Sequence, residues 1–197
     1  MLKVNNLIIS KSIKRGVSMK IVERTIKSDK LYQGKIINLR IDTVELPDQK
    51  YSKREIIEHP GAVAVIPITD DNKILMVKQY RKSVEEYLLE IPAGKLEIGE
   101  EPLECAAREL LEETGYKSNN IKYLFEIFPS PGFSNESISI FIANDLIKDV
   151  AKPDEDEYIE VEEYEIGELI NMIGQQKIKD AKTITSILYI NNYTMGK

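Results

Sequence analysis

Apolar and polar positions alternate in short bursts from about residue 30 to 58. Positions 35–41 and 43–46 are set off from 54–57 by the turn cluster Pro47-Asp48-Gln49-Lys50, a pattern that predicts a small antiparallel N-terminal sheet. Apolar-rich strands are predicted at 62–68, 73–80 and 87–91, the first two split by Asp70-Asp71-Asn72. The period then changes. Leu103, Ala106, Ala107, Leu110 and Leu111 recur at three- and four-residue spacing, the apolar stripe of a helix. Pro102 suits its first turn, where a missing N–H costs nothing, and Gly115 suits the left-handed position just past its end. Strands at 121–128, 137–143 and 158–161 follow, then helices at 166–173 and 181–190, the second with Asp180 as its N-cap. With no repeat and no low-complexity linker, this order predicts an α/β (α+β) fold, a mixed sheet sandwiched by helices.

At 197 residues and 42% apolar, the chain suits one medium domain, or one domain with a smaller appendage. Its net charge of −6 argues against general binding to nucleic-acid phosphates. One cysteine, Cys105, excludes an internal disulfide and agrees with a reducing cytoplasm; its place in the 102–114 helix suits a small packing residue. No apolar run approaches the roughly 18 residues needed to cross a membrane. The first 20 residues carry five basic side chains and no acidic one, and Leu7-Ile8-Ile9 is too short for a secretory apolar core. Met19 opens a stretch typical of a bacterial protein start, so residues 1–18 are expected to be a disordered extension or the product of a mis-set start codon.

The densest chemistry lies at GKLEIGEEPLECAARELLEETGY, residues 94–116. Glu109, Glu112 and Glu113 differ by three and four positions, so they are expected to share the helix face opposite the apolar stripe, within one turn. Carboxylates so close repel one another unless a cation sits among them, and a hard ion such as Mg²⁺ or Mn²⁺ suits oxygen donors. The same charges would repel a pyrophosphate, so metal ions must bridge the two anions, neutralise charge developing at phosphorus and acidify the attacking water. Arg108, four residues before Glu112, is placed to pair with it and hold it. A Glu-rich helix face is ordinarily just a solvated one. Here seven positions match one pattern within 22 residues: Gly94, Glu100, Arg108, Glu109, Glu112, Glu113 and Gly115.

That spacing resembles the Nudix box, the motif of hydrolases that cut diphosphates linked to another moiety; only Tyr116 departs, where the family usually has an aliphatic residue. The flanks resemble the ADP-ribose pyrophosphatase subgroup: the loop Phe128-Pro129-Ser130-Pro131-Gly132-Phe133-Ser134-Asn135-Glu136, with Pro131 15 residues past Tyr116, and also Glu90-Ile91-Pro92-Ala93-Gly94, Val77-Lys78-Gln79-Tyr80-Arg81 and Asp180-Ala181-Lys182-Thr183. The similarity spans about residues 19–192.

The resemblance implies the Nudix α/β/α sandwich over residues 59–197, with an N-terminal β region over 19–58 through which two copies exchange sheets and complete each other's pockets. It implies Mg²⁺-dependent hydrolysis of ADP-ribose to AMP and ribose 5-phosphate. The Ala93 carbonyl, Glu109 and Glu113 would hold the metals, with Glu112 shared or adjacent. From the acidic stretch 154–165, Glu155 or Glu157 would act as base, or Glu157 as a further metal ligand, with Glu112 the rival base. Arg81, and less directly Arg54, would meet the diphosphate. Ser134 and Glu136 would reach the terminal ribose, Pro131 would shape a wall, and Ile36 and Tyr51 are offered for adenine. Glu100 is expected to anchor the loop before the helix, and His59, beside Pro60-Gly61, to serve a turn. The alternatives are another nucleoside diphosphate derivative (a sugar nucleotide, a flavin dinucleotide or a dinucleoside polyphosphate), a sensor module that binds ADP-ribose without turnover, and an RNA-decapping enzyme, which the acidic charge disfavours.

Overall fold

A computed structural model describes residues 22–151 and 158–195, with side chains through residue 192. The extension expected at 1–18 and the two acidic candidates Glu155 and Glu157 lie outside the described residues.

Three strands form an antiparallel N-terminal sheet in the order β1 (Arg24–Gln33), β2 (Asn38–Glu45), β3 (Tyr51–Glu58). β1 was not expected from the sequence. It is exposed along its whole length, so it carries none of the alternation that marks a half-buried strand. The bursts at 35–41 and 43–46 are one strand, β2, entered through a turn in which the Gly34 N–H donates to the Ile37 carbonyl (3.0 Å).

The body of the molecule is built on β4 (Ala62–Pro67). Val63 and Val65 face one layer and Ala64 and Ile66 the other, all fully buried, so this strand reads as an unbroken apolar run. It pairs with the short β7 (Ala93–Lys95) and runs parallel to β10 (Ile138–Asn144), which pairs antiparallel with the edge strand β9 (Asn120–Ile127). A second antiparallel sheet has the order β12 (Ile159–Glu165), β5 (Lys73–Arg81), β6 (Glu86–Glu90). The two-residue strands β8 (Tyr116–Lys117) and β11 (Ile147–Lys148) pair beyond the central sheet.

Helices cover both faces. Helix α1 (Pro102–Thr114) packs Cys105, Ala106 and Leu110 against Val63, Val65 and Phe141. Opposite, Leu169 of α2 (Ile166–Gly174) and Ile187 and Ile190 of α3 (Ala181–Met195) join Ala64, Ile66, Met76 and Ile140 in the larger core. Asp180 caps α3 as expected, accepting the Thr183 N–H at 2.9 Å. Gly115 ends α1 at φ 72°, its N–H donating to the Leu111 carbonyl.

The apolar stripe of α1 needs one correction. Ala106 and Leu110 are buried as expected, but Leu103 is 51% exposed and Ala107 is also exposed. The flank turned inward carries Cys105, Ala106, Glu109, Leu110, Glu113 and Thr114. Two glutamates therefore sit on the packed side of the helix, because the strand they face supplies room and a backbone donor.

Candidate active site

Strand β7 and helix α1 build that arrangement together. The Ala93 N–H donates to Oε2 of Glu113 at 3.0 Å, so the buried Glu113 carboxylate is tied to the strand it faces. One residue on, Gly94 has no side chain, and the Glu109 carboxylate fills the space left. The loop between β7 and α1 is pinned by Glu100, which accepts the Glu97 N–H at 3.0 Å and pairs with Arg108 at 2.8 and 3.0 Å.

Arg108 is the hub. Besides Glu100, its guanidinium donates to Glu109 at 2.7 Å and to Glu112 at 2.9 Å, the pairing expected from the four-residue spacing. This holds the Glu100 carboxyl well below its usual range, at about 2, and raises the arginine itself. Cys105 lies beneath, buried, with burial pushing its thiol up to about 12; at neutral pH it is a packing group, not a thiolate.

A cleft of about 330 Å³ opens over this cluster, lined by Glu109, Glu112, Arg108, Ala93, Arg81 and Ile36, among others. A second, of about 260 Å³, shares Arg81, Ala93 and Gly94 with it and adds Glu136, His59 and Lys182. The fold thus places Gly94, Arg108, Glu109 and Glu112 of the motif around one cleft and Glu136 around an adjoining one, with Arg81 lining both. Arg54, Pro131 and Ser134 line a separate hollow of about 400 Å³ against the N-terminal sheet. There Arg54 forks onto Glu23 at 2.8 and 2.6 Å, and the Ser134 hydroxyl accepts the Glu136 N–H at 3.1 Å. Ile36 reaches the carboxylate cleft, whereas Tyr51 lies at the exposed β2–β3 turn and lines none of these hollows. His59 staples its turn, its N–H donating to Asn135 and its Nδ1 accepting the Gly61 N–H. The proline loop is docked on β3, with the Ile57 N–H donating to the Phe133 carbonyl and the Asn135 N–H to the Ile57 carbonyl.

Two charged residues escaped the sequence reading as participants. Glu90, buried at the end of β6, accepts Arg81 Nε and Nη2 at 2.8 and 2.9 Å and also pairs with Lys182. The available signal was a lone carboxylate in the apolar run Leu88-Leu89-Glu90-Ile91.

The donor set fits a hard cation. Glu109 and Glu112 present carboxylate oxygens to one cleft, the missing Gly94 side chain leaves Glu109 its place, and a guanidinium now balances their charge. Among the described residues no three side chains of the metal-binding types converge on one point. An ion here would be completed by main-chain oxygen, water or substrate oxygens, as is usual for Mg²⁺. No described helix is long and apolar enough to cross a membrane.

Residues 58–186 match the NUDIX domain, and residues 23–57 match the nucleoside diphosphate sugar hydrolase N-terminal domain. The chain is 46% identical over 170 residues to the methanol dehydrogenase activator of Bacillus methanolicus, covering 85% of this chain and 92% of that protein. It is 45% identical over 170 residues to the ADP-ribose pyrophosphatase of Bacillus subtilis strain 168, with the same coverage. A crystal structure of an ADP compounds hydrolase superposes with a TM-score of 0.78 at 20% identity, covering 95% of this chain and 98% of that one, a likeness of fold. Members of this family generally work with divalent cations, which the carboxylate oxygens of this cleft suit. The chain belongs to the Nudix hydrolase family.

Proposed function

We propose that this chain is a cytoplasmic, Mg²⁺-dependent ADP-ribose pyrophosphatase that hydrolyses ADP-ribose to AMP and ribose 5-phosphate. The observation that carries the reading is the pair of adjoining clefts, one holding Glu109 and Glu112 and the other Glu136, with Arg81 in the wall of both, in a chain 45% identical to a protein named for that activity.

Glu109, Glu112 and Glu113, with the Ala93 carbonyl, would hold the ions. Bound there, Mg²⁺ (or Mn²⁺) supplies charge neutralisation at the diphosphate and lowers the pKa of water. Arg81 directs its remaining guanidinium N–H groups at phosphate oxygens and binds the diphosphate in substrate as in the transition state. Glu136 accepts hydroxyl protons of the terminal ribose. Glu112, Glu155 or Glu157 takes the proton of the attacking water, and Glu157 is also the candidate for a further metal ligand. Glu100 and Arg108 hold the loop and Glu112 in place.

Glu113→Gln is the direct test of the metal assignment. The amide keeps an oxygen able to accept the Ala93 N–H, so stability changes little, while turnover falls by orders of magnitude. Near-normal turnover in that variant contradicts the assignment.

The functional unit we propose is a homodimer in which the N-terminal sheets meet. Ile26, Leu31 and Tyr32 of β1 and Val22 before it are exposed apolar groups on or beside an edge strand, the kind of surface proteins normally cover. A partner's sheet laid there would bring Arg54 and the Pro131–Ser134 hollow into a shared pocket. Light scattering should give twice the chain mass, and a monomer would contradict this.

A second reading, hydrolysis of a nucleoside diphosphate sugar, is favoured by the match at residues 23–57. It uses the same carboxylates and Arg81 and differs only in what lies beyond the diphosphate.

A further inference from the structure

Glu90 is the anchor of a charged cluster for which the metal chemistry has no use. Its side chain is 2% exposed, and Lys182 and Arg81, which both pair with it, are 11% and 36% exposed. The cluster is thus graded from a buried carboxylate out to a guanidinium at the cleft wall. Taking these charges out of water is costly, so a buried ion cluster is by itself weak evidence of a purely stabilising role.

The geometry around Glu90 is fixed from three sides. Arg81 grips both of its oxygens through Nε and Nη2. Of the five guanidinium N–H groups, three are left over, with no hydrogen-bond partner among the described residues. Lys182 meets Glu90 and, at 3.1 Å, Asp180. The next residue, Thr183, donates its hydroxyl proton to Asp180 at 2.6 Å and accepts the Ile91 N–H at 3.0 Å. The start of α3 is therefore tied to the residue that follows Glu90, and Lys182 cannot drift from it. Two cations side by side would repel; the carboxylate between them lets both face one hollow, which Arg81, Lys182 and Glu136 line together.

We propose that Glu90 is a positioning residue that sets Arg81 and Lys182 as a paired cationic receptor for the substrate diphosphate, acting on substrate only through those two side chains. Lys182 thereby becomes a binding residue in its own right. The inference rests on the reading of the substrate as a nucleoside diphosphate derivative.

The test is steady-state kinetics of the full chain at saturating Mg²⁺, on whichever of ADP-ribose or a nucleoside diphosphate sugar the wild type hydrolyses faster. Glu90→Asp keeps the charge but draws it back by one methylene, so simple charge balance leaves KM unchanged whereas a positioning role raises it. Glu90→Asp and Glu90→Gln should each raise KM about tenfold or more, while kcat falls by less than about threefold. Combining Glu90→Asp with Arg81→Lys should be no worse than Arg81→Lys alone, because the two act as one unit. Lys182→Met, with Glu90 intact, should also raise KM, and it decides the matter if the Glu90 variants fail to fold. Wild-type KM in Glu90→Asp or in Lys182→Met, or losses that multiply in the double variant, would overturn the proposal. A preference of the wild type for the sugar nucleotide overturns the ADP-ribose reading alone, whereas a wild type idle on both overturns both.

Discussion

A Cβ at Gly94 would stand 1.8 Å from Oε1 of Glu109 and 2.4 Å from its Oε2, so the glycine of β7 and the glutamate of α1 are two halves of one fitting. What a side chain would displace is the end of a flexible glutamate rather than backbone. Gly94→Ala should therefore cost little stability, with Tm within a few degrees of wild type, yet move a carboxylate out of the cleft. Turnover at saturating Mg²⁺ should fall by roughly 100-fold or more. Near-normal turnover would show that Glu109 does not need this place.

Arg108 stands where a cation must, between Glu109 and Glu112 and braced by Glu100. Arg108→Met leaves three carboxylates facing one another around an apolar stem. In a chelator the variant should be less stable by about 2 kcal/mol, a Tm lower by about 4–8 °C, given that these groups are only partly buried. Added Mg²⁺ should narrow the gap, since the ion supplies positive charge the side chain no longer gives. An equal gap with and without the ion, read by thermal unfolding, would contradict the placement.

Burial pushes the Glu90 carboxyl up, but Arg81 and then Lys182 outweigh it and hold it at about 2. Arg108 holds Glu100 at about 2 as well. Both lie below their unfolded value of 4.5, so their stabilisation is complete above that pH and is lost as pH falls toward 2. For the buried Glu90 the effect is on the order of 3 kcal/mol. Urea unfolding of wild type and Glu90→Gln should diverge most at neutral pH and converge at the acid end. Parallel curves from pH 7 to 2 would mean that Glu90 is not held as an anion.

Much of the fold and most of the box geometry were legible in the chain. The doubly buried β4 announced itself as an apolar run, Asp180 and Gly115 marked helix ends, and the four-residue step from Arg108 to Glu112 foretold their ion pair. Fully exposed β1 has no periodicity to read in an isolated chain. The inward turn of Glu109 and Glu113 was hidden because carboxylates ordinarily point to water; the Gly94 gap and the Ala93 N–H that admit them come from a strand brought in by the fold. Arg81, read as a free phosphate donor, has half its fork committed to Glu90, a contact between opposite ends of a hairpin that spacing alone does not reveal. Arg54 lies in a different hollow from the box carboxylates, and no local pattern separates the two.

The central claim is tested most directly by offering the purified protein ADP-ribose, a nucleoside diphosphate sugar, a flavin dinucleotide and a dinucleoside polyphosphate, with Mg²⁺ and with chelator, and following products by chromatography. AMP and ribose 5-phosphate should appear from ADP-ribose with the highest kcat/KM of the panel, and only when Mg²⁺ is present. Faster hydrolysis of another member, or AMP formed equally in chelator, would contradict the account.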